Sequence, residues 1–295
     1  MTLDQLRIFV AVAERQHVTR AAEALNIVQS AVSSAVSALE ARHAVKLFHR
    51  VGRGIELTEA GRVFLGEARA VLARAEAAEL VLADLSGLRR GTLRVHASQT
   101  IAGHWLPRHL VAFRRAYPDV AVRLAVGNTA EVARAVGEGA AELGFVEGAV
   151  DDPALSATPV AQDRLVLVVP PDHPWAAAPA IAAADLAAHP FVLREAGSGT
   201  RSAFEAALAA VNIMPEGLTV ALELPSNEAV LAAVEAGAGA SVLSEAVVAG
   251  TLSTGALVVA PFPLPARTFS MLRHKERYRS RAADALLDVI RDAGP

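Results

Sequence analysis

The sequence contains no cysteine among its 295 residues. This absence excludes disulfides, thiol nucleophiles and cysteine-based metal sites, and it fits a reducing compartment. Aromatic residues are also scarce, at 4% of the chain, although hydrophobic residues make up 53%. The cores are therefore predicted to consist largely of Ala, Val and Leu, and alanine-rich segments favour helices.

Long uninterrupted apolar runs are missing as well. No stretch reaches the roughly 18 residues of a membrane span, and Asp4, Arg7 and Glu14 interrupt the apolar pattern at the N-terminus, unlike a secretory signal. The sequence therefore predicts a cytoplasmic protein with no membrane partner. The nine histidines form no H-x-x-x-H pair and the chain has no G-x-S-x-G motif, so no metal site, catalytic residue or cofactor is predicted.

Positive charge is slightly concentrated at the N-terminus. Residues 1–58 carry seven basic and five acidic side chains, whereas the whole chain has a net charge of −3. A mildly basic head on an acidic body suits an anionic partner such as nucleic acid. The excess is small and only supports an assignment made on other grounds.

The apolar spacing of residues 1–58 predicts a winged helix-turn-helix. The first helix covers residues 3–15, the second begins with Thr19 as its N-cap and ends at Asn26, and the third runs from Gln29 to Ala41. The third helix buries one stripe and presents a polar face that consists of Gln29, Ser30, Ser33, Ser34 and Ser37. Serine is a middling helix former, so contacts with DNA bases and phosphates explain this face better than helix propensity does; the alternative is a merely solvated face.

Two short strands follow, Lys46–Arg50 and Ile55–Leu57, joined by a turn at residues 52–54. This wing would place Arg50 and Arg53 where they can meet phosphates or the minor groove.

Residues 1–61 resemble the N-terminal domain of LysR-type transcriptional regulators. The matching residues are Phe9, Thr19, Arg20, Ala21, Ala22, Leu25, Gln29, Ser30, Ala31, Val32, Ser33, Leu39, Glu40, Leu47, Phe48, Arg50, Leu57, Thr58, Ala60 and Gly61. The family often has a basic residue where this chain has Ser34, which affects one expected contact and not the fold. Together the pattern and the resemblance predict that DNA is bound by Thr19, Arg20, Gln29, Ser30, Ser33, Ser34, Ser37, Arg50 and Arg53.

A long helix is predicted within residues 59–90, capped by Thr58 and ending in a hinge at residues 88–91. Its apolar positions recur every three or four residues: Phe64, Ala68, Val71, Leu72, Ala75, Ala78, Leu82 and Leu85. A helix of this length, on the order of 40 Å, usually packs on a partner, although it could instead be a core helix of the second domain. The resemblance implies an antiparallel homodimer through this helix, a tetramer, and RNA polymerase as a further partner.

Strands and helices alternate through residues 91–295, which predicts an α/β domain with a largely parallel sheet. The resemblance extends here and implies a two-lobed effector domain like a type 2 periplasmic binding protein. Its first lobe would comprise residues 92–160 and 267–291, and its second lobe residues 161–266.

Polar side chains at predicted strand ends and helix N-termini are the candidate effector ligands. They are Ser98, Gln99, Thr100, Asn128, Thr129, Gly197, Ser198, Thr200, Arg201 and Asn227. A glycine-rich loop, several donors and the charge of Arg201 favour a small anion, although each serine or threonine could simply be a helix cap. Glu147 would repel an anion and is expected to face elsewhere or to pair with an arginine.

The predicted function is that of a LysR-type regulator that binds double-stranded DNA and responds to a small anionic effector. Segments such as SQTIAG and LREAGSGTR resemble the branch of the family that senses sulfur oxyanions, which is related to the carbon-fixation regulators. The alternatives are a solute-binding protein or an enzyme on the same two-lobed fold.

Overall fold

The computed structural model describes residues 1–52, 54–85 and 91–294, and of residues 80 and 83–85 it describes the backbone alone. The described residues form two compact units, one of residues 1–85 together with 138–140 and one of residues 91–137 and 141–294. In these ranges, none of the helices combines the length and the apolar character needed to cross a bilayer. The predictions for Arg53 and for the hinge residues 88–90 lie outside the described residues.

The first unit is a winged helix-turn-helix followed by a long helix, as predicted. Its elements are α1 (Leu3–Arg15), α2 (Val18–Leu25), α3 (Gln29–His43), the antiparallel wing strands β1 (Phe48–Val51) and β2 (Gly54–Leu57), and α4 (Glu59–Leu85). Asn26 ends α2 in the left-handed conformation, with φ of 54°. Thr58 Oγ1 accepts a hydrogen bond from the Gly61 amide at 3.0 Å and so caps α4.

The predicted cap of α2 is wrong. His17 is the N-cap, and its Nδ1 accepts a hydrogen bond from the Arg20 amide at 3.5 Å. Thr19 lies inside the first helical turn. The ring nitrogen of His17 supplies the acceptor that a Ser, Thr, Asp or Asn side chain usually provides.

Phe9 lies at the centre of the hydrophobic core of the first unit. Its fully buried ring lies 5.4 Å from the ring of Phe48 in the wing and 4.9 Å from that of Phe64 in α4, centroid to centroid. Burying a side chain of this size stabilises the fold by roughly 1.5–3 kcal/mol. Only part of the predicted apolar stripe of α4 packs against this core. Phe64, Ala68 and Leu72 join this core, whereas Val71 and Leu82 are exposed.

The second unit contains nine strands and six α-helices among its described residues. In chain order they are β3 (Gly91–Ser98), α5 (Leu106–Ala116), β4 (Val120–Gly127), α6 (Thr129–Glu138), β5 (Leu143–Val146), β6 (Leu155–Val169), β7 (Phe191–Arg194), α7 (Gly199–Ala210), β8 (Val220–Leu224), α8 (Asn227–Glu235), β9 (Ser241–Ser244), α9 (Glu245–Thr254), β10 (Val258–Ala260), β11 (Ala266–His274) and α10 (Arg281–Asp292). A π-helical turn, Ile101–Trp105, precedes α5, and short 3-10 turns occupy Pro174–Ala176, Ala183–Ala188 and Pro215–Gly217.

The main sheet is mixed, which corrects the prediction of a largely parallel one. Its order is β10-β6-β11-β5-β3-β4, with β9 also paired to β6. Only β3–β4 and β3–β5 are parallel in this sheet; β7 and β8 form a separate parallel pair. The reason is that β11 lies between β5 and β6 and runs antiparallel to both, and that β9 and β10 also pair antiparallel with β6.

Separate hydrophobic cores give the second unit its two lobes. One core gathers residues of β3, α5, β5 and α10 around Phe113 and Phe145. The other gathers residues of β7, α7 and β9 around Phe191 and Phe204. Strand β6 runs from one lobe into the other, because nine of its first ten residues pair with β11 and its last five pair with β9, β10 or both.

Candidate functional site

The polar face of α3 lies at the surface. Gln29, Ser30, Ser33, Ser34 and Ser37 are all exposed, whereas Val32 and Leu39 on the opposite side are buried. The N-cap residue of α3 is Val28, whose side chain makes no capping hydrogen bond. The first amides of the helix are therefore available to an anionic group such as a phosphate.

A concave surface of about 410 Å³ joins this helix to the wing. It is lined by His17, Val18, Thr19, Gln29, Arg50, Gly52, Gly54 and Ile55. Thr19 is half-buried there, and Arg20 and Arg50 are exposed. The structure thus brings Gln29, Thr19 and Arg50 to one surface, while Arg53 lies outside the described residues.

Glu40 fixes the wing to α3. Its buried carboxylate accepts hydrogen bonds from the backbone amides of Leu47 (2.8 Å) and Phe48 (3.2 Å) and from Lys46 Nζ (2.7 Å). Burial alone would raise the pKa of Glu40, but these hydrogen bonds outweigh it and lower the pKa below its ordinary value. Glu40 is therefore a structural carboxylate that positions the wing.

Buried polar side chains from both lobes of the second unit meet between them, and we call this set the interlobe cluster. It comprises Ser98, Thr100, Thr129, Glu147, Asp163, Arg194, Thr200, Asn227, Ser244 and Arg267. Strand ends of β3, β5, β7 and β9 and the first residues of α6, α7 and α8 supply most of it. The cluster contains the predicted ligands Ser98, Thr100, Thr129, Thr200 and Asn227.

Arg267 is at the centre of one half of the cluster. Its Nε donates to Asp163 Oδ2 at 2.7 Å and its Nη1 donates to Thr200 Oγ1 at 3.0 Å. Ser244 Oγ donates to the other oxygen of Asp163 at 2.7 Å. The third nitrogen, Nη2, is buried and has no hydrogen-bond partner among the described residues.

Arg194 organises the other half. Its Nε and Nη2 bind both oxygens of Glu195 at 2.8 and 2.9 Å, and its Nη1 donates to Asn227 Oδ1 at 2.6 Å. Asn227 Nδ2 donates to Thr100 Oγ1 at 3.2 Å, across the lobes. Two further predicted ligands bridge the lobes at the edge: Gln99 contacts Pro225 and Asn227, and Asn128 donates to Glu195.

Glu147 faces into the cluster. Its carboxyl shares a hydrogen bond with Ser98 Oγ, and its side chain is only 2% exposed. Arg267 Nη1 lies 3.9 Å away, beyond hydrogen-bonding distance. Burial raises the pKa of Glu147 above its ordinary value, and the positive charges of Arg267 and Arg194 oppose this rise without cancelling it.

The lobes approach each other closely at Gly199. A Cβ atom at this position would lie 2.6 Å from Thr129 Oγ1, 2.7 Å from the Gly148 amide nitrogen and 2.9 Å from Glu147 Cγ. Only glycine permits this approach. Thr129 Oγ1 is buried there without a hydrogen-bond partner among the described residues.

The predicted role of Arg201 as the anion-binding charge is not supported by its position. Its guanidinium is held by the carboxylates of Glu205 and Glu223, and it also donates to the backbone oxygen of Arg194. Ser198 caps α7, and Gly197 supplies a left-handed turn, with φ of 89°.

Three charged residues of the cluster were not predicted from the sequence: Arg267, Asp163 and Arg194. In β11 the buried side chains include Arg267, Phe269 and Met271, which alternate along the strand. A charge in register with two core residues is the signal that could have revealed Arg267.

Two family models match the chain. One, described as "Bacterial regulatory helix-turn-helix protein, lysR family", matches residues 3–62. The other, described as "LysR substrate binding domain", matches residues 86–295. Between them they cover both units.

A relative and two solved structures are similar to the chain. A probable RuBisCO transcriptional regulator of Trichormus variabilis is 36% identical over 294 residues, which cover 98% of this chain and 87% of the relative. Full-length CbnR complexed with its target DNA has a TM-score of 0.70 and 25% identity, with all of both chains covered. The regulatory domain of Synechocystis PCC6803 CcmR in complex with 2-PG has a TM-score of 0.63 and 27% identity, covering 69% of this chain and 97% of that one.

Proposed function

The chain belongs to the LysR-type family of DNA-binding transcription regulators, and we propose that its effector is a small anion held in the interlobe cluster. The chain is a regulator rather than an enzyme or a solute-binding protein. Because its partner is DNA, we place the protein in the cytoplasm.

The observation that carries the effector proposal is a pair of buried, unpartnered hydrogen-bonding groups. Arg267 Nη2 and Thr129 Oγ1 both lack a partner among the described residues. A buried donor without a partner costs about 1–3 kcal/mol, so a ligand that accepts from both groups would recover this free energy. The N-termini of α6 and α7 begin beside these groups and favour negative charge.

The proposed effector class comprises small carboxylates and oxyanions, including the sulfur oxyanions that the sequence motifs favour. The CcmR regulatory domain is solved with 2-phosphoglycolate, which carries both a carboxylate and a phosphate. A panel of sulfite, sulfate, shikimate and 2-phosphoglycolate, scored by shifts in melting temperature, tests the class. No shift with any of them would contradict it.

Thr129→Val separates ligand binding from stability. Valine keeps the shape of threonine and removes only the unpartnered hydroxyl, so the ligand-free melting temperature is expected to stay the same or to rise slightly. Affinity for the best anion of the panel is expected to fall by about 1 kcal/mol, or roughly fivefold. Titration calorimetry measures both proteins. The matched control is Thr254→Val, whose exposed hydroxyl lies at the end of α9 and should not affect affinity.

For DNA, we propose that α3 reads bases and that the wing contacts the backbone. Gln29→Ala is expected to reduce the preference for operator over unrelated DNA by about 1–3 kcal/mol, because an amide side chain can make a bidentate contact with adenine. Arg50→Ala is expected to weaken binding to all sequences and to reduce the salt slope by about one.

Fluorescence anisotropy with DNA from upstream of the gene, at several salt concentrations, measures both quantities. The control is Arg291→Ala, an exposed arginine of α10 in the second unit, which should change neither. If Gln29→Ala keeps the full operator preference, α3 is not the reading element.

We further propose that a second copy of the chain covers α4. Val63, Val71 and Leu82 are exposed on this helix, at 67%, 41% and 68%, although apolar side chains on a long helix usually pack on a partner. The sedimentation coefficient of Val63→Asp/Leu82→Asp should then indicate a smaller assembly than that of the parent protein. A tetramer and a contact with RNA polymerase remain expectations from the family resemblance.

A further inference from the structure

The charges of the interlobe cluster and of the adjacent Glu195 do not balance if Glu147 is ionised, because three carboxylates then face two guanidinium groups. Arg267 is hydrogen-bonded to Asp163 at 2.7 Å, and Arg194 is hydrogen-bonded to Glu195 at 2.8 and 2.9 Å. Each guanidinium thus has its own carboxylate. Glu147 is the fifth charged group, and the nearest cation, Arg267 Nη1, is 3.9 Å from its Oε1.

An anion that enters such a site adds a negative charge where water is excluded. Uncompensated buried charge is strongly unfavourable, and two adjacent negative groups make it more so, because like charges disfavour each other's ionised forms. The groups that face Glu147 from the neighbouring strands are Arg267 (β11), Arg194 (β7) and Asp163 (β6), with the neutral Ser98 from β3. Since both arginines are already paired, a proton on Glu147 is the remaining way to restore balance.

We infer that the interlobe cluster takes up its anionic effector together with a proton held at Glu147, so that this residue sets the charge of the ligand that the site admits. The inference rests on the proposed function, since it presupposes an anionic effector. A protonated carboxyl is also a hydrogen-bond donor, so the same side chain that excludes an anion when ionised can bind one when neutral. The raised pKa of ligand-free Glu147 acts in the same direction.

The direction in which the affinity for the anion changes with pH follows from the coupling between anion binding and proton binding at Glu147. A bound anion raises the pKa of Glu147 further, so the complex holds more protons than the free protein between the two pKa values. Affinity should therefore rise as the pH falls, approaching tenfold per pH unit for one proton. In Glu147→Gln the affinity should be independent of pH, and at high pH it should exceed that of the parent protein.

The experiment uses the full chain with sulfate and with shikimate, whose charges stay constant between about pH 5.5 and 8.5, so that a change of affinity over this range comes from the protein. Titration calorimetry gives the affinity at each pH for the parent protein, for Glu147→Gln and for the control Asp288→Asn. Asp288 is an exposed carboxylate on α10, and its variant should retain the pH dependence of the parent.

Calorimetry of the parent protein in two buffers of different ionisation enthalpy counts the protons directly and needs no variant to fold. The expected result is an uptake approaching one proton per anion. An anion that binds with the same pH-independent affinity to the parent and to Glu147→Gln, without proton uptake, would overturn the inference and leave the proposed function intact. If neither probe binds to any of these proteins at any pH, and sulfite and 2-phosphoglycolate also cause no shift in melting temperature, the anionic effector itself is overturned and the inference with it.

Discussion

Replacing Arg267 with methionine is expected to lower the free energy of unfolding of the second unit by about 3–5 kcal/mol. Methionine fills much of the same volume but supplies no charge. It would leave the buried carboxylate of Asp163 without the guanidinium that lies 2.7 Å away, and Thr200 Oγ1 without its donor at 3.0 Å. Removing one partner of a buried ion pair is costly because the other charge stays in a medium that solvates it poorly.

Denaturant titrations monitored by tryptophan fluorescence measure this effect, because both tryptophans of the chain, Trp105 and Trp175, lie in the second unit. The matched control is Arg164→Met. Arg164 also contacts a carboxylate at 2.7 Å, that of Glu245, but its side chain is 64% exposed, and exposed pairs contribute at most about 1 kcal/mol. Equal losses from the two substitutions would contradict the assignment of Arg267 as the buried charge at the centre of the cluster.

The double variant Asp163→Asn/Arg267→Met sharpens the test. If the loss arises from an unpaired buried carboxylate, neutralising Asp163 should restore a substantial part of it, because a neutral pair needs no counter-ion. If the loss arises instead from the packing of the arginine stem, the second substitution should restore nothing. The difference between the single and the double variants therefore identifies the cause.

The fold of the first unit could be predicted because the sequence features that indicate it each involve residues close together in the chain. Three apolar stripes at helical spacing, Asn26 at a left-handed helix end and Thr58 at a helix start each depend on residues within a few positions of one another. Where the prediction failed, at the cap of α2, the acceptor was the ring of His17 rather than the hydroxyl of Thr19, which lies two residues later inside the first helical turn. The error changes a cap and leaves the fold as expected.

The interlobe cluster was only half predictable. Ser98, Thr100, Thr129, Thr200 and Asn227 follow from the rule that polar side chains gather at the carboxyl ends of strands. The charges do not, since Asp163 and Arg267 are about a hundred positions apart in sequence and meet only because β6 pairs with β11. Arg201 was predicted to bind the anion because it is the charged residue nearest in sequence to the glycine-rich loop. In the structure its guanidinium donates instead to Glu205, one helical turn later. The spacing of residues close in sequence therefore predicts which polar side chains line such a site. Its charges depend on the pairing of strands that are far apart in sequence.

Two glycines of α4 should respond in opposite directions to the same substitution. At Gly61 a Cβ atom would lie 2.1 Å from the backbone oxygen of Leu47 and 2.8 Å from Leu57 Cδ2. That oxygen also accepts the Thr58 amide at 3.0 Å, so it belongs to the junction between the wing and α4 and has little freedom to move. Gly61→Ala is therefore expected to destabilise the first unit by about 3 kcal/mol, the upper end of the cost of overpacking.

Gly66, five residues later, has no atom within 4 Å of the corresponding position. Gly66→Ala should stabilise the first unit by about 0.5–1 kcal/mol, because alanine loses less backbone entropy in a helix. Thermal unfolding followed by circular dichroism at a helical wavelength, together with operator binding, measures both variants, while tryptophan fluorescence should report an unchanged second unit. If Gly61→Ala were as stable as Gly66→Ala, the close approach of α4 to the backbone of Leu47 would be wrong.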